Sequence, residues 1–399
     1  MSNKLHLFDL SRAELEAFVQ TLGEPRYRAD QIWTWLYRRL AASFDEMTNL
    51  PMAMRERLED IASIHTLVPV AETTSQATPA RKTLFQLADG ESVEAVLMHY
   101  LPGDPDYRSE TAGEPLDGVN GHAQGRHTAC ISTQVGCAMG CVFCATGQMG
   151  LMRQMSAGEV IEQVVYLARM LENEGQRLTG LVFMGMGEPM ANWPATWQAV
   201  ETLNDSDGFN MGARRMTIST VGLAPGIRRL ARAGLQVRLA VSIHASDDEL
   251  RNQLVPINAQ YPLGEVMDAC REYLALTNRR ITFEYVMIDH VNDFPEHAAA
   301  LAGLIRDMLC HVNLIPLNPT SGSDMRPSSY ARCLAFQSVL RQHGIPTTLR
   351  VRRGTDVQAG CGQLRTRVDE GLVGQTIGIE QETWNESIMV RPLGCSNTA

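Results

Sequence analysis

Three cysteines, Cys137, Cys141 and Cys144, stand as C-A-M-G-C-V-F-C directly after a strand-like run, His127 to Thr133. Thiolate is the form of cysteine that binds metal, and C-x3-C-x2-C spacing folds three of them around one point. A [4Fe–4S] cluster that only carries electrons takes four thiolates. Three leave one iron open to a substrate or cofactor. A structural zinc site is the other chemistry such a loop can hold, but it is closed by four ligands and usually built from paired C-x2-C knuckles. The chain has no second pair, so ligand count favours a cluster with one vacant iron.

Such a loop needs a scaffold. From about residue 127 to 351, strand-like and helix-like stretches alternate. The strand candidates are HTACIST, LTGLVFMG, RRMTIST, QVRLAVSIH, RRITFEYVMI and HVNLIPL. Helical stretches between them include SAGEVIEQVVYLARMLE, with Ser156 capping and Glu159 three residues on, PLGEVMDACREYLAL and FPEHAAALAGLIRDML. Repeated βα units imply a parallel sheet with right-handed crossovers. Six of them predict an α/β fold, an open (βα)6 partial TIM barrel. A seventh strand-like run, TTLRVRR, follows.

Parallel α/β architectures gather functional residues at the C-terminal ends of strands, and the polar motifs fall there. The cysteines follow strand one, and Gly185-Met186-Gly187-Glu188-Pro189 follows strand two. Ser219 and Thr220 close strand three, Ser242-Ile243-His244 close strand four, and Asn318 follows strand six. The glycines admit a ligand close to backbone, and Glu188 can meet a cation such as an amino group.

Residues 1–65 read as a small helical unit. Ser11 caps RAELEAFVQTL, and RADQIWTWLYRRL and PMAMRERLEDI follow. Arg26, Arg28, Arg38 and Arg39 lie beside Trp33, Trp35 and Tyr37. That mixture suits phosphate contact and base stacking, and equally suits aromatics packed inward beneath solvated arginines. Residues 66–126 form a β extension: TLVPVAET, KTLFQLADG and SVEAVLMHY, with a turn at Asp89-Gly90. Residues 101–125 carry five acids against one arginine among many Gly and Pro, which predicts a mobile surface loop. Residues 352–399 are a C-terminal segment, GTDVQAGCGQL and then a tail with few signals.

Composition narrows the class. Hydrophobic content of 44% with 20% charged residues is that of a soluble enzyme. The N-terminus has no apolar signal region, and no stretch reaches the roughly 18 apolar residues of a membrane span. Nine irregularly spaced cysteines point to a reducing, cytoplasmic setting. A net charge of −10 leaves any nucleic-acid contact to local basic points. Of these, Arg214-Arg215 and Arg279-Arg280 precede strands three and five and are expected at the barrel's far end. Arg350, Arg352 and Arg353 are the better phosphate candidates. Cys270, Cys310 and Cys333 lie in helical patterns and read as small apolar residues; Cys395 in the tail reads as incidental. His127 and His311, at strand starts, read as structural.

CISTQVGC, FCATG, FMGMGEP, VPINAQYPL, EYVMIDHVND, HVNLIPLNP and AGCGQL resemble the RlmN/Cfr family of radical S-adenosylmethionine adenosine methyltransferases. The similarity runs from near residue 12, through FDEMTNLP, to about Leu364. The resemblance implies one [4Fe–4S] cluster on Cys137, Cys141 and Cys144, with S-adenosylmethionine at its open iron. It implies cofactor contacts from Gly187, Glu188, Ser219, Ser242, Ile243, His244 and Asn318. C2 and C8 of adenine are electron-poor and do not attack a sulfonium methyl, so the family uses a radical route. By that resemblance Cys361 carries a methyl taken from one S-adenosylmethionine, and a second is cleaved to the radical that activates it. Cys130 matches the family's second thiol, which frees the product by forming a disulfide with Cys361. Glu94 matches the family's proton acceptor; by itself it reads as an ordinary exposed strand acid.

The implied partners are 23S rRNA, tRNA and an electron donor such as flavodoxin, acting on a monomer. An adenine must leave its stack to reach such a pocket. GMGEPM, EYVMIDHVND and LIPLNP favour RlmN-type C2 methylation, and FCATGQMGL and VPINAQYPLGEVM also have close echoes in Cfr, whose members methylate C8. The chain departs from both in its acidic loop at 101–125, in AGCGQL where ACGQL is usual, and in its longer tail. A non-catalytic, cluster-bearing RNA-binding protein is the third reading, and it leaves Cys130 and Cys361 without a joint role.

Overall fold

The computed structural model describes residues 4–76, 78–101, 125–320, 322–350, 355–360 and 362–364. The expected mobile loop, except for its ends, lies outside the described residues, as do Arg352, Arg353, Cys361, Cys395 and the tail.

The N-terminal unit begins with β1 (Leu5–His6), paired in parallel with β2 (Ala62–Ser63). Between them run α1 (Arg12–Thr21), α2 (Tyr27–Tyr37) and α3 (Met52–Ile61). Ser11 and Glu14 form a reciprocal capping box at the start of α1, which satisfies two N–H groups the helix cannot bond itself. Trp33 and Tyr37 are buried, so these two aromatics pack inward. The guanidinium of Arg39 covers the Trp35 ring at 4.5 Å, and Arg38 donates to Ser206 O at 2.9 Å.

The described residues then build a ten-stranded sheet. β3 (Val68–Thr74), β4 (Ala80–Gln86) and β5 (Ser92–Tyr100) form an antiparallel meander, and β5 pairs antiparallel with β6 (Arg126–Cys130). The extension is therefore continuous with the barrel sheet. β6 is shorter than HTACIST suggests. After Cys130 the chain leaves the ladder for a hairpin of β7 (Gln134–Gly136) and β8 (Leu151–Gln154) that brackets the cysteine loop, with α4 (Ala145–Met149) inside it.

From β6 onward the neighbours are parallel: β9 (Gly180–Phe183), β10 (Met216–Thr220), β11 (Arg238–Ser242), β12 (Ile281–Met287), β13 (Cys310–Pro316) and β14 (Thr347–Leu349). The crossovers carry α5 (Ala157–Asn173), α6 (Trp193–Asn204), α7 (Ala224–Ala231), α8 (Asp248–Leu254), α9 (Leu263–Thr277), α10 (Pro295–Ile305) and α11 (Tyr330–Gln342). β3 and β14 are the two edges, so the barrel is open. The sheet curls enough that Cys130, Val182, Thr217, Ala240, Thr282 and Asn313, from six different strands, line one cavity of about 320 Å³. α5 shows why the outer face holds: Val160, Val164, Leu167 and Leu171 recur at helical spacing and are fully buried. Each contributes about 1.5–3 kcal/mol of burial free energy.

The start of α5 also receives the N-terminal unit. Asp9 Oδ1 accepts the Gly158 N–H at 2.7 Å, and His6 sits against Glu162 one turn further on. A Cβ on Gly158 would lie 2.5 Å from His6 Nδ1, so only glycine permits this approach. Of the three cysteines expected on helices, Cys270 and Cys333 lie on α9 and α11, but Cys310 opens β13 instead. Its neighbourhood HVNLIP alternates as a strand, and this overrides the helical pattern before it. All three are buried.

Candidate active site

The hairpin fixes both ends of the cysteine loop. Cys137 N–H donates to Gly150 O at 2.8 Å, Val142 N–H to Leu254 O at 3.1 Å, and Ala145 N–H to Gly362 O at 2.8 Å. An apolar shell of Met139, Phe143, Val221, Leu254, Val255, Val286, Ile288 and Leu317 surrounds it. Burial pushes the Cys137 thiol up to about 12, and Cys141 and Cys144 are raised for the same reason. The charges of Cys137 and Cys144 raise Cys141 further. Backbone N–H groups of Met139, and of Thr146 and Gly147, act in the opposite sense on Cys137 and Cys144. Three crowded, desolvated thiols with peptide N–H donors at sulfur suit a shared polynuclear cation that deprotonates them. Among the described residues no three His, Cys, Asp or Glu side chains close on a single metal ion.

The GMGEP turn leaves β9 beside this loop. Gly187 has φ +100°, and a Cβ there would meet Gln134 Cβ at 2.5 Å; only glycine fits. Gln134 Oε1 in turn accepts the Glu188 N–H at 2.7 Å. The Glu188 carboxylate accepts N–H groups of Met190 (3.0 Å) and Val221 (2.8 Å). Burial nonetheless pushes its carboxyl up to about 7. A buried carboxylate held this way is a ready partner for a cation.

Ser219 and Ser242 share the inward face of their strands with the cavity-lining Thr217 and Ala240. Ile243 is fully buried beside them. His244 follows with φ +59°, rare for a residue other than glycine. Two bonds hold it there: Val286 N–H donates to its Nδ1 at 3.0 Å, and Asn292 Nδ2 donates to its carbonyl at 2.9 Å. Its ring meets Phe143 of the cysteine loop edge-on at 4.8 Å. Burial, with the charge of Arg251, pulls His244 down to about 3. It is neutral, and the bond at Nδ1 leaves its proton on Nε2. Asn318 is buried next to Gly360, where an added Cβ would stand 2.7 Å from Asn318 Nδ2.

Cys130 pairs with Val96 and lines the same cavity as Cys144, Gly360 and Gly362. Cys361 lies outside the described residues, but both its neighbours border this cavity. Glu94, two residues before Val96 on the same strand face, is buried rather than exposed, with Lys82 Nζ 2.8 Å from its Oε1. The solvated-acid reading of Glu94 is thereby corrected. Sequence alone did not single out Lys82.

Arg279 and Arg280, assigned to the far end of the barrel, line the cavity together with Arg238. That pair stands just before β12, at the strand starts as expected, yet borders the lumen; Arg214 and Arg215 are not among the residues lining it. His311 also borders it, whereas His127 lies 2.8 Å from His99 between β5 and β6. Arg350 lines the cavity too, beside the Tyr100 hydroxyl. Arg251 was missed as well. It and Leu254, three residues on, are the buried residues of α8, an otherwise polar helix that gives no local signal of a buried charge.

A parallel barrel with a three-cysteine loop and a GMGEP turn at its mouth defines a radical S-adenosylmethionine protein, and the Radical SAM superfamily model matches residues 131–302. The cluster is a [4Fe–4S] cluster and the cofactor S-adenosylmethionine. A second model, the ribosomal RNA large subunit methyltransferase N-terminal domain, matches residues 5–64. The chain belongs to the RlmN family. It is 46% identical to a probable dual-specificity RNA methyltransferase RlmN of Chloroflexus aurantiacus, over 90% of this chain and 93% of that protein. It is 42% identical to a ribosomal RNA large subunit methyltransferase N of Nitrosopumilus maritimus, over 91% and 99%. The crystal structure of a radical SAM methyltransferase from Sphaerobacter thermophilus superposes with a TM-score of 0.84 at 48% identity, covering 91% of this chain and all of that one.

Proposed function

We propose that this protein methylates C2 of adenine in 23S rRNA and in tRNA, using Cys361 as methyl carrier and Cys130 as resolving thiol. One observation carries the reading: Cys130 shares a cavity with the cluster cysteine Cys144 and with Gly360 and Gly362, which flank Cys361. A protein that merely stored a cluster would have no use for a thiol in that lumen.

The cluster and S-adenosylmethionine together supply the hydrogen abstraction that an unactivated methyl group requires. Cys137, Cys141 and Cys144 hold the cluster. Glu188 binds the cofactor's amino group, with Gly187 letting the backbone approach. Ser219, Ser242, Ile243, His244 and Asn318 line the rest, with neutral His244 offering an N–H donor. The apolar shell excludes water from the loop. Once the methyl carbon on Cys361 has joined the adenine, the adduct's unpaired electron would return to the cluster and Glu94 takes the ring proton, with Lys82 orienting its carboxylate. The Cys130 thiolate then attacks the Cys361 sulfur, the sulfur–carbon electron pair passes to the base's methylene carbon, which takes a proton from solvent to become methyl, and the two cysteines are left as a disulfide. Arg350 and the cavity arginines are placed for phosphate or base contact with a flipped-out adenosine.

We place this chemistry in the cytoplasm, on a monomer reduced by a flavodoxin-type donor. No described helix is long and apolar enough to cross a membrane.

The test is nucleoside mass spectrometry of rRNA and tRNA after reaction with reductant and S-adenosylmethionine. 2-Methyladenosine in both is expected. 8-Methyladenosine would mark the Cfr-type reaction, and unmodified RNA without cofactor cleavage would leave a cluster-bearing RNA-binding protein. Cys130→Ala should trap protein covalently on RNA, and absence of an adduct would remove it as the resolving thiol.

A further inference from the structure

Arg251 is fully buried, and its guanidinium makes five hydrogen bonds, all to uncharged oxygens. Nε donates to Ile243 O (3.0 Å), Nη1 to Asn258 Oδ1 (2.6 Å) and Tyr261 O (3.5 Å), and Nη2 to Val221 O (2.5 Å) and Ser242 O (3.3 Å). Among the described residues no carboxylate lies within ion-pair distance of it. Carbonyls satisfy its donors but do not cancel its charge, and an uncompensated buried ion costs several kcal/mol. Burial pulls the guanidinium down only to about 10, so it stays charged near neutrality. Val221, which it bonds, and Leu254, three residues on, pack with Cys137 and Cys141 in one apolar cluster, and Leu254 O accepts the Val142 N–H of the cysteine loop at 3.1 Å. The charges of Cys141, Asp248 and Cys270 act against that fall. Asp248 is already engaged by Asn258 Nδ2 and Leu263 N–H.

A [4Fe–4S] core on three thiolates carries net negative charge, and reduction adds more. We propose that Arg251 is a positioning residue that serves as the buried counter-charge of the cluster and favours its reduced form. By tethering Val221, Ser242 and Ile243 it also fixes the ends of β10 and β11, where the cofactor contacts sit. The proposal rests on the cluster being held by Cys137, Cys141 and Cys144 and is independent of the RNA chemistry.

The two parts separate by substitution. In the full-length reconstituted protein, without RNA, Arg251→Met removes charge and tethers, whereas Arg251→Lys keeps the charge and loses the planar fork. The cluster's midpoint potential is read by redox titration with electron paramagnetic resonance, and S-adenosylmethionine affinity by equilibrium dialysis. Arg251→Met should shift the potential to more negative values, and Arg251→Lys should return it close to the wild type. Both should bind S-adenosylmethionine about tenfold more weakly. An Arg251→Met potential equal to wild type at matched iron and sulfide content overturns the proposal, as does an Arg251→Lys potential as low as that of Arg251→Met. If Arg251→Met folds with a native circular dichroism spectrum but takes up no cluster while Arg251→Lys takes up its full complement, the counter-charge role stands. Equal failure of both variants to take up cluster overturns it. A wild-type protein without a cluster would instead refute the cysteine-loop assignment itself.

Discussion

Replacing Glu162 with glutamine should loosen the N-terminal unit from the barrel, and the structure sets the size of the effect. Glu162 on α5 is buried, and its carboxylate accepts the N–H groups of Thr66 (2.9 Å) and Leu67 (3.2 Å) and the Thr66 hydroxyl (2.9 Å). His6 Nε2 and His65 Nδ1 each lie 3.3 Å from it, and Asp9 is 3.6 Å from His6 Nδ1. Burial alone would lower His6, but bonds to Asp9 and Glu162 and their charges raise it to about 9. The same contacts, working against burial, hold Glu162 down at about 2. The rise of His6 from 6.5 to about 9 corresponds to roughly 3 kcal/mol at about 1.4 kcal/mol per pKa unit. Asp9 remains in the variant and glutamine still accepts some bonds, so a loss of about 2–4 kcal/mol is expected.

The pH dependence follows from the sign of that rise. A histidine whose folded pKa is raised contributes fully below 6.5 and loses its contribution as pH climbs through about 9. The stability gap between wild type and Glu162→Gln should therefore be widest at or just below pH 6.5 and shrink steadily as pH rises from there through about 9. Urea unfolding followed by tryptophan fluorescence reports it, since Trp33 is buried in the N-terminal unit. A gap under about 0.5 kcal/mol at pH 6.5, or one that does not change with pH, would refute the reasoning.

Three further outcomes are expected. Glu188→Gln should weaken S-adenosylmethionine binding about tenfold to a hundredfold, the worth of a charge-assisted hydrogen bond, with iron content unchanged by analysis. Because the Glu188 carboxyl sits near 7, wild-type affinity should rise with pH through that value, and the glutamine variant's should stay flat. Gly187→Ala forces a Cβ to 2.5 Å from Gln134 at φ +100°. That strain should cost about 1–3 kcal/mol, seen as a lower Tm together with weakened cofactor binding. Cys141→Ala should abolish the visible absorption and bound iron of the reconstituted protein while its far-ultraviolet circular dichroism stays native.

Much of the framework was legible because it rests on local rules. Ser156 with Glu159 forms the capping box its spacing foretold, and Ser11, expected as a cap, also pairs with Glu14 in one, since a cap depends on residues within one turn. The six alternating runs became parallel strands because each is followed by a helical crossover that packs back on the sheet; in β9 and β10 buried positions alternate with half-buried ones. The grouping of the cysteine loop, GMGEP, Ser219, Ser242 and Asn318 at one barrel mouth also followed, since a parallel sheet puts every strand's C-terminal end on the same side. Charges were harder to read. Glu94 and Arg251 look like surface residues, and whether each is buried depends on partners far along the chain.

Local pattern sufficed for the spacing of the cysteine loop, the order of strands and helices and the glycines of the GMGEP turn, because spacing and backbone geometry act over a few residues. Tertiary structure decided the rest. It joined the extension to the barrel through β5 and β6, carried Arg238, Arg279 and Arg280 into the lumen, paired Lys82 with Glu94, and buried Arg251 among the carbonyls that end β10 and β11. These are electrostatic and close-packing outcomes between segments distant in the chain, and their energies are set by a dielectric and a proximity that exist only once the sheet has curled.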